Sequence, residues 1–389
     1  MQGQKGGYML LLTPGSHAYK IIMLLLITGE FPFRSLGLLG NERMMKETAV
    51  RMTQVHVIHI KDREKTYRCK LINISGKSTL KTIRLSRAAF ELIEDEMPEL
   101  MPAYIADTYG HRFHGESHRI DRNHRIAEAI TVCLRAGIEC RGHMVPVLQK
   151  DRKKYITFDH PAFYSSRSIK RLGVDEINKS KYIRMVGAIF CQAGLYEVYN
   201  SRSSVLEWFG QGEDKIIQTM IDICIYNFPI EERHHAIIFG NDYDVALQTL
   251  RRFDSGDKYV RLDYLGYDKV HFLPMDQSGQ KILQIMMLKD WNKKVLELIF
   301  EEQYLPDTKR FQYDALIEGT YVVSFLDSDI LKLSAFIKSV TQEGVAWEVA
   351  CFDTQVSFLR KYLGENAIIH SLPLDMIHEK LNAGREAFI

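Results

Sequence analysis

The spacing of apolar residues changes twice along the first ninety positions. From His17 to Gly29, Ile21, Ile22, Leu25 and Leu26 recur at helical spacing, Ser16 is suited to cap the start, and Gly29 marks the end. Phe31-Pro32-Phe33 then enters a short helix, Arg34–Leu39, that turns Leu36 and Leu39 inward. Gly40-Asn41 supplies a tight turn, because both residue types accept positive φ. A third helix from about Glu42 to Gln54 places Met45, Ala49 and Met52 on one side and Arg43, Lys46, Glu47 and Arg51 mostly on the other. The period then falls to two. Val55–Ile60 and Tyr67–Ile74 alternate across a charged turn, Lys61-Asp62-Arg63-Glu64-Lys65, and predict a β-hairpin. A further run, Leu80–Leu85, leads to a helix beginning near Ser86. Two helices around a glycine turn followed by a hairpin is the pattern of a winged helix-turn-helix, assigned to residues 1–95.

Beyond it the pattern predicts a mixed α/β (α+β) fold. A helix from about Arg122 to Ala136 carries Ile126, Ala129, Ile130, Val132 and Cys133 on its apolar face and ends at Gly137. Met185–Phe190, Leu195–Tyr199 and Val205–Phe209 are strand candidates, followed by a helix over 212–226. From Glu231 onward strands and helices alternate: His235–Phe239 with Asp242–Phe253, Val270–Leu273 with Gln277–Leu288, Tyr321–Leu326 with Ile330–Val340, Trp347–Cys351 with Gln355–Leu363, and Ala367–Leu372 with Leu374–Leu381. The amphipathic stretch Asp290–Glu302 lies between the second and third pairs. Short strands separated by helices predict a parallel sheet, so a middle α/β domain is drawn over 96–228 and a C-terminal acidic α/β domain over 229–389.

Charge sharpens this picture. Residues 1–90 hold 15 Lys+Arg against 5 Asp+Glu, a net of +10, whereas the remaining 299 hold 36 against 44, a net of −8. The overall +2 hides a basic segment suited to a polyanion and an acidic body with another task. Double-stranded DNA is therefore the expected partner. Arg34, Arg43, Lys46 and Arg51 are the candidates from the helices, and Lys61, Arg63, Lys65, Arg68 and Lys70 the candidates for phosphate contact from the wing. The six cysteines are scattered without a C-x-x-C pair, so buried thiols in a reducing compartment are expected rather than a disulfide framework or a cysteine zinc site. No apolar run approaches the ~20 residues of a bilayer crossing, and Tyr8–Leu12 is too short for a signal peptide core. A cytoplasmic protein without membrane association is expected.

Four histidines, His111, His114, His118 and His124, fall within fourteen residues. Their spacing lacks the HExxH logic of a helical zinc site, and the accompanying Arg112, Arg119, Arg122 and Arg125 disfavour a divalent cation, so no metal is assigned. The predicted winged helix, followed by a helix start containing His118, Asn123 and His124-Arg125-Ile126-Ala127-Glu128 and then a β-rich segment, resembles the replication-relaxation proteins of plasmids and conjugative elements over about residues 15–225. The resemblance implies a role in plasmid replication and DNA relaxation, and a restriction-endonuclease-like core over 96–228.

A nuclease of the PD-(D/E)xK type needs metal-binding acids on adjacent strands and a lysine two residues beyond the second. This chain has Leu195-Tyr196-Glu197-Val198-Tyr199 and Leu206-Glu207-Trp208-Phe209 in those places, without that lysine. Glu213-Asp214-Lys215 matches E-x-K but follows a Gly-Gln-Gly break at an expected helix start. Glu197, Glu207, Glu213 and Lys215 are thus weak catalytic candidates, and a degenerate core is expected. No phosphate-binding glycine motif accompanies the later strands, and Gly240-Asn241-Asp242, Asp276-Gln277-Ser278-Gly279 and Asp327-Ser328-Asp329 are predicted to be helix caps, so no cofactor is assigned. The expectation is DNA binding rather than catalysis, in replication, transfer or its regulation, with a replication or transfer protein as second partner and self-association left open. The alternatives are a Mg²⁺-dependent nuclease and a ligand-sensing transcriptional regulator.

Overall fold

The structure is a computed structural model that describes residues 12–60, 65–106, 115–140, 160–169, 184–207, 217–218, 220, 234–263, 266–300 and 313–384. It is a mixed α/β protein of two compact units, residues 1–131 and 132–388. The first unit thus runs well past residue 95, through most of the helix Ser117–Arg135.

In the first unit, α1 (His17–Thr28) is capped by Ser16, whose side chain accepts from Tyr19 N at 3.2 Å. It leads through β1 (Glu30–Pro32) and a 3₁₀ turn, Phe33–Leu39, to α2 (Glu42–Met52). Gly40 takes φ +148°, whereas Asn41 is extended and caps α2 by accepting from Met44 N, so only one of the two turn residues uses positive φ. Met45, Ala49 and Met52 are buried, as their spacing predicts, and α2 packs on α1.

The predicted wing is two separate pairings. β2 (His56–Ile60) pairs antiparallel with β3 (Lys65–Cys69) as a two-stranded ribbon that joins no other strand among the described residues. The run expected to continue to Ile74 breaks at Lys70-Leu71. Leu71 is fully buried, its N–H donates to the Met52 carbonyl, and its own carbonyl accepts from Ser86 N. β4 (Ile72–Ser75) then forms a second hairpin with β5 (Thr82–Leu85), and β5 also pairs with β1, giving the order β1-β5-β4. α3 (Phe90–Glu96), α4 (Met101–Tyr104) and α5 (Ser117–Arg135) follow. α5 is tied to the sheet by Asn123 Nδ2, which donates to Glu30 Oε1 at 2.6 Å, and by His124 Nε2, 2.9 Å from Thr82 Oγ1. Glu30 Oε2 accepts from both Nε and Nη2 of its cross-strand partner Arg84.

The second unit holds a six-stranded mixed sheet of β6 (Glu139–Cys140), β7 (Ala162–Ser165), β8 (Gly187–Cys191), β9 (Gly194–Arg202), β10 (His235–Gly240) and β11 (Lys269–Pro274), in sequence order. β7, β8 and β9 are antiparallel neighbours, while β9, β10 and β11 run parallel. One sheet therefore crosses residue 228, where the pattern had suggested a boundary between the middle and C-terminal domains. A second sheet has the order β12 (Ala315–Ile317), β13 (Thr320–Ser324), β14 (Trp347–Phe352), β15 (Ile369–Leu372), parallel from β13 onward. The predicted parallel arrangement is thus divided between two sheets. The helices whose bounds are described in this unit include α6 (Ser166–Ile169), α7 (Tyr243–Asp254), α8 (Gln277–Met286), α9 (Trp291–Ile299), α10 (Ile330–Glu343), α11 (Val356–Leu363) and α12 (Leu374–Lys380). Ala236, Ile238, Phe272, Phe325, Phe336 and Phe358 belong to one apolar core that joins both sheets.

The expected caps are present. Asp242 accepts from Asp244 N and Val245 N, Asp276 from Gly279 N, and Asp329 from Leu331 N and Lys332 N. A Cβ on Gly279 would lie 1.9 Å from the Pro274 carbonyl oxygen, which is backbone and cannot rotate away. Gly279→Ala is expected to cost about 2–3 kcal/mol, read as a lower urea midpoint at unchanged slope. Among the described residues, no helix is long and apolar enough to cross a membrane.

Candidate nucleic-acid interface

On α2, Arg43, Met44, Glu47, Val50 and Arg51 face outward, because the inward positions are taken by Met45, Thr48, Ala49 and Met52. Two of its cations are held at one-turn spacing: Arg43 Nε donates to Glu47 Oε1 at 2.9 Å, and Lys46 pairs with Glu42. Arg51 Nη2 donates to Thr48 Oγ1 at 3.3 Å. Exposed pairs of this kind are weak and easily exchanged for a phosphate.

Beside α2, the half-buried Phe33 ring lies under two ammonium groups. Lys81 Nζ is 4.2 Å from its centroid and Lys46 Nζ is 6.0 Å away. The Phe33 N–H donates to the Lys81 carbonyl, which fixes the loop end of the β4–β5 hairpin against the start of the 3₁₀ turn. The tip, Gly76-Lys77-Ser78-Thr79, is exposed. Gly76 has φ +79°, and a Cβ there would meet the Leu80 carbonyl at 2.5 Å, so the tip depends on glycine. Lys77 and Lys81 are absent from the candidates read from the sequence. The available signal is Ser75-Gly76-Lys77 between the alternating runs Ile72/Ile74 and Ile83/Leu85.

The sequence candidates separate. Lys61 and Arg63 lie outside the described residues. Lys65 Nζ donates to Asp95 Oδ2 at 2.9 Å, and Tyr67 bonds the same oxygen, so this ribbon is anchored on α3. Arg68 and Lys70 are exposed, with Arg68 opposite Val57 on the outer face of the ribbon. Arg34 lies 4.0 Å from Asp121. Of the histidine-rich segment, His111 and His114 fall outside the described residues, His118 is exposed beside Glu116, and His124 is buried. Asn123 and His124, two residues that carry the family resemblance, thus hold α5 on the small sheet.

The two described catalytic candidates, Glu197 and Glu207, do not come together. Glu197 is fully buried on β9, where His234 Nε2 donates to Oε1 at 3.0 Å and the Tyr267 hydroxyl to Oε2 at 2.6 Å. The Tyr199 hydroxyl lies 2.7 Å from that of Tyr267. Burial first, then the charge of Glu197, pushes the Tyr267 hydroxyl well above its ordinary pKa. The residues in register with Glu197 are Ala188 and Ala236, so neither neighbouring strand sets a second carboxylate beside it. Glu207 pairs instead with Arg252 Nη2 at 3.0 Å, in an irregular segment where a strand was expected. Glu213 and Lys215 lie outside the described residues. Among the described residues, no group of three or more His, Cys, Asp or Glu side chains is placed to hold a metal.

A second buried polar cluster lies near the carboxyl end of β13. Lys332 Nζ donates to Asp314 Oδ2 at 3.0 Å and stands 3.7 Å from Asp327 Oδ2. His271 Nδ1 donates to the Asp327 carbonyl at 2.7 Å, which leaves its Nε2 to accept from His235 Nδ1 at 3.3 Å. Burial lowers His271 to about 4, with Lys269 acting the same way and Asp327 opposing. His235 is lowered well below its ordinary range by burial and then by His271. Burial also pushes the Cys351 thiol up to about 12, so it is a packing residue rather than a nucleophile.

Comparison of the chain with protein-family models, curated proteins and solved structures finds no match.

Proposed function

We propose that the chain is a duplex-DNA-binding protein. Its first unit acts as a winged helix, with α2 in the major groove and the β4–β5 tip, rather than the β2–β3 ribbon, on the phosphate backbone. The observation that carries this reading is the Phe33 platform. The Lys46 and Lys81 ammonium groups both approach the Phe33 ring, so α2 and the loop end of the β4–β5 hairpin each bring a positive charge to it. The order β1-β5-β4 supports it, since the strand before the 3₁₀ turn closes on the second of the two hairpins that follow α2. Through its resemblance to the replication-relaxation proteins, the reading extends to replication, relaxation or transfer of a plasmid or conjugative element. The acidic remainder would recruit a replication or transfer protein, and the protein would work in the cytoplasm.

The test is binding of the full chain to duplex DNA across a salt series. Lys77→Gln with Lys81→Gln is expected to flatten the log–log salt slope by about 2 and to weaken binding about tenfold at moderate salt. Lys65→Gln, which removes a cation already held by Asp95, is expected to change the slope by less than about 0.5. Binding that ignores the Lys77/Lys81 pair and falls with Lys65 would move the contact to the ribbon and defeat the assignment.

A further inference from the structure

We infer that α2 reads thymine, through contact of Met44 and Val50 with C5 methyl groups on the major-groove floor; this rests on the duplex-binding reading above. Met44 is 42% exposed and Val50 48%, on a helix whose other apolar side chains at Met45, Ala49 and Met52 are buried. At ~100° per residue they lie roughly 60° to either side of Glu47. Met44, Lys46, Glu47, Val50 and Arg51 line one shallow concavity, with Arg43 at its edge paired to Glu47.

On the same scale Arg43 and Arg51 lie about 40° to either side of Glu47 and Lys46 about 100° from it, so cations, a carboxylate and two apolar side chains interleave on the outer face. A phosphate-only site would exclude Glu47, because its charge repels the backbone. The major groove matches each part. Phosphate walls meet Lys46, Arg51 and the neighbouring Lys81, thymine methyls meet Met44 and Val50, and the exocyclic amino group of cytosine can donate to Glu47. A protein occupant would match the apolar side chains but would leave the interleaved cations, in a segment of net +10, without a counter-charge.

The experiment selects duplexes from a random pool with the full chain, then replaces each dT of a selected duplex by dU, which removes only the methyl. One or two positions are expected to lose about three- to fivefold in affinity, the effect of one buried methyl. In Met44→Gln or Val50→Asn, both at exposed positions, dT and dU duplexes should bind equally at one of those positions. A selected sequence that binds equally well throughout with dU overturns the thymine reading and leaves duplex binding intact. Failure to enrich any sequence overturns the base-reading role of α2, and absence of duplex binding overturns both readings together. The wild-type dU series decides the question even where a variant folds poorly.

Discussion

Replacing Lys332 with methionine is expected to lower the unfolding free energy by about 3–5 kcal/mol, the effect of leaving buried carboxylates without their cation. Lys332 begins α10 with its backbone N–H on Asp329 and its ammonium between Asp314 and Asp327. Burial works against the charged lysine, but Asp314, Asp327 and Asp329 outweigh it and hold the ammonium above the usual lysine range. Asp314 also accepts from Ser324 N, so the cluster fixes β13 relative to the strand before it. Without the ammonium, Asp327 Oδ2, which has no hydrogen bond, would face a low-dielectric interior alone. Urea unfolding at neutral pH reads the loss. Combining Lys332→Met with Asp314→Asn should recover part of it, because one of the stranded charges is then removed. A loss under about 1 kcal/mol for the single variant would mean that water reaches the cluster and the charges are screened.

Acidification from about pH 6.5 to about pH 4 is expected to remove a further 3 kcal/mol or so through His271. The imidazole is neutral in the folded protein down to about 4, while in the unfolded chain it binds a proton near its ordinary value of 6.5. The unfolded state therefore holds more protons throughout this interval, and stability falls as the pH falls, with no further contribution from His271 below it. His235 acts in the same direction, being lowered by burial and by His271. Asp254, although burial opposes it, is held below its usual value by Ser334, Tyr362 and Lys338, so its own loss comes only at lower pH. Unfolding midpoints at pH 7, 5.5 and 4.5, repeated for His271→Gln, separate these contributions. Asp329, which burial and then the charge of Asp327 raise to about 7, acts in the opposite direction over this interval and is common to both proteins, so an equal fall between pH 7 and pH 4.5 in the wild type and in His271→Gln would mean that the His271 imidazole is not neutral in the folded state.

Local pattern carried the elements well and their partners poorly. His235–Gly240, Ile330–Glu343 and Val356–Leu363 lie within a few residues of where alternation and capping place them. The break at Lys70-Leu71 escapes such a reading because Tyr67, Cys69 and Leu71 keep an unbroken period of two. What divides the run is tertiary: Leu71 bonds the end of α2 and the residue after β5 instead of continuing the ribbon. The same limit governs the site. The sequence shows that Lys65 is a cation, but not that Asp95, thirty residues away, holds it. It shows an acid at Glu197, but not that His234 and Tyr267, brought in at the starts of β10 and β11, occupy both oxygens. Lys77 and Lys81 were obscured because the first hairpin, with its dense charges, already accounted for a wing.

The passage of the six-stranded sheet across residue 228 decides how the chain can be divided. β10 is buried along its whole length and lies between β9 and β11. A fragment beginning at residue 229 would present His235–Gly240, with its core Ala236-Ile237-Ile238-Phe239, as a bare edge of unpaired amides and carbonyls. Such an edge is a template for the same strand of another molecule. Material cut there would be lost to inclusion bodies, whereas fragments that keep β9 and β10 together would retain the seam.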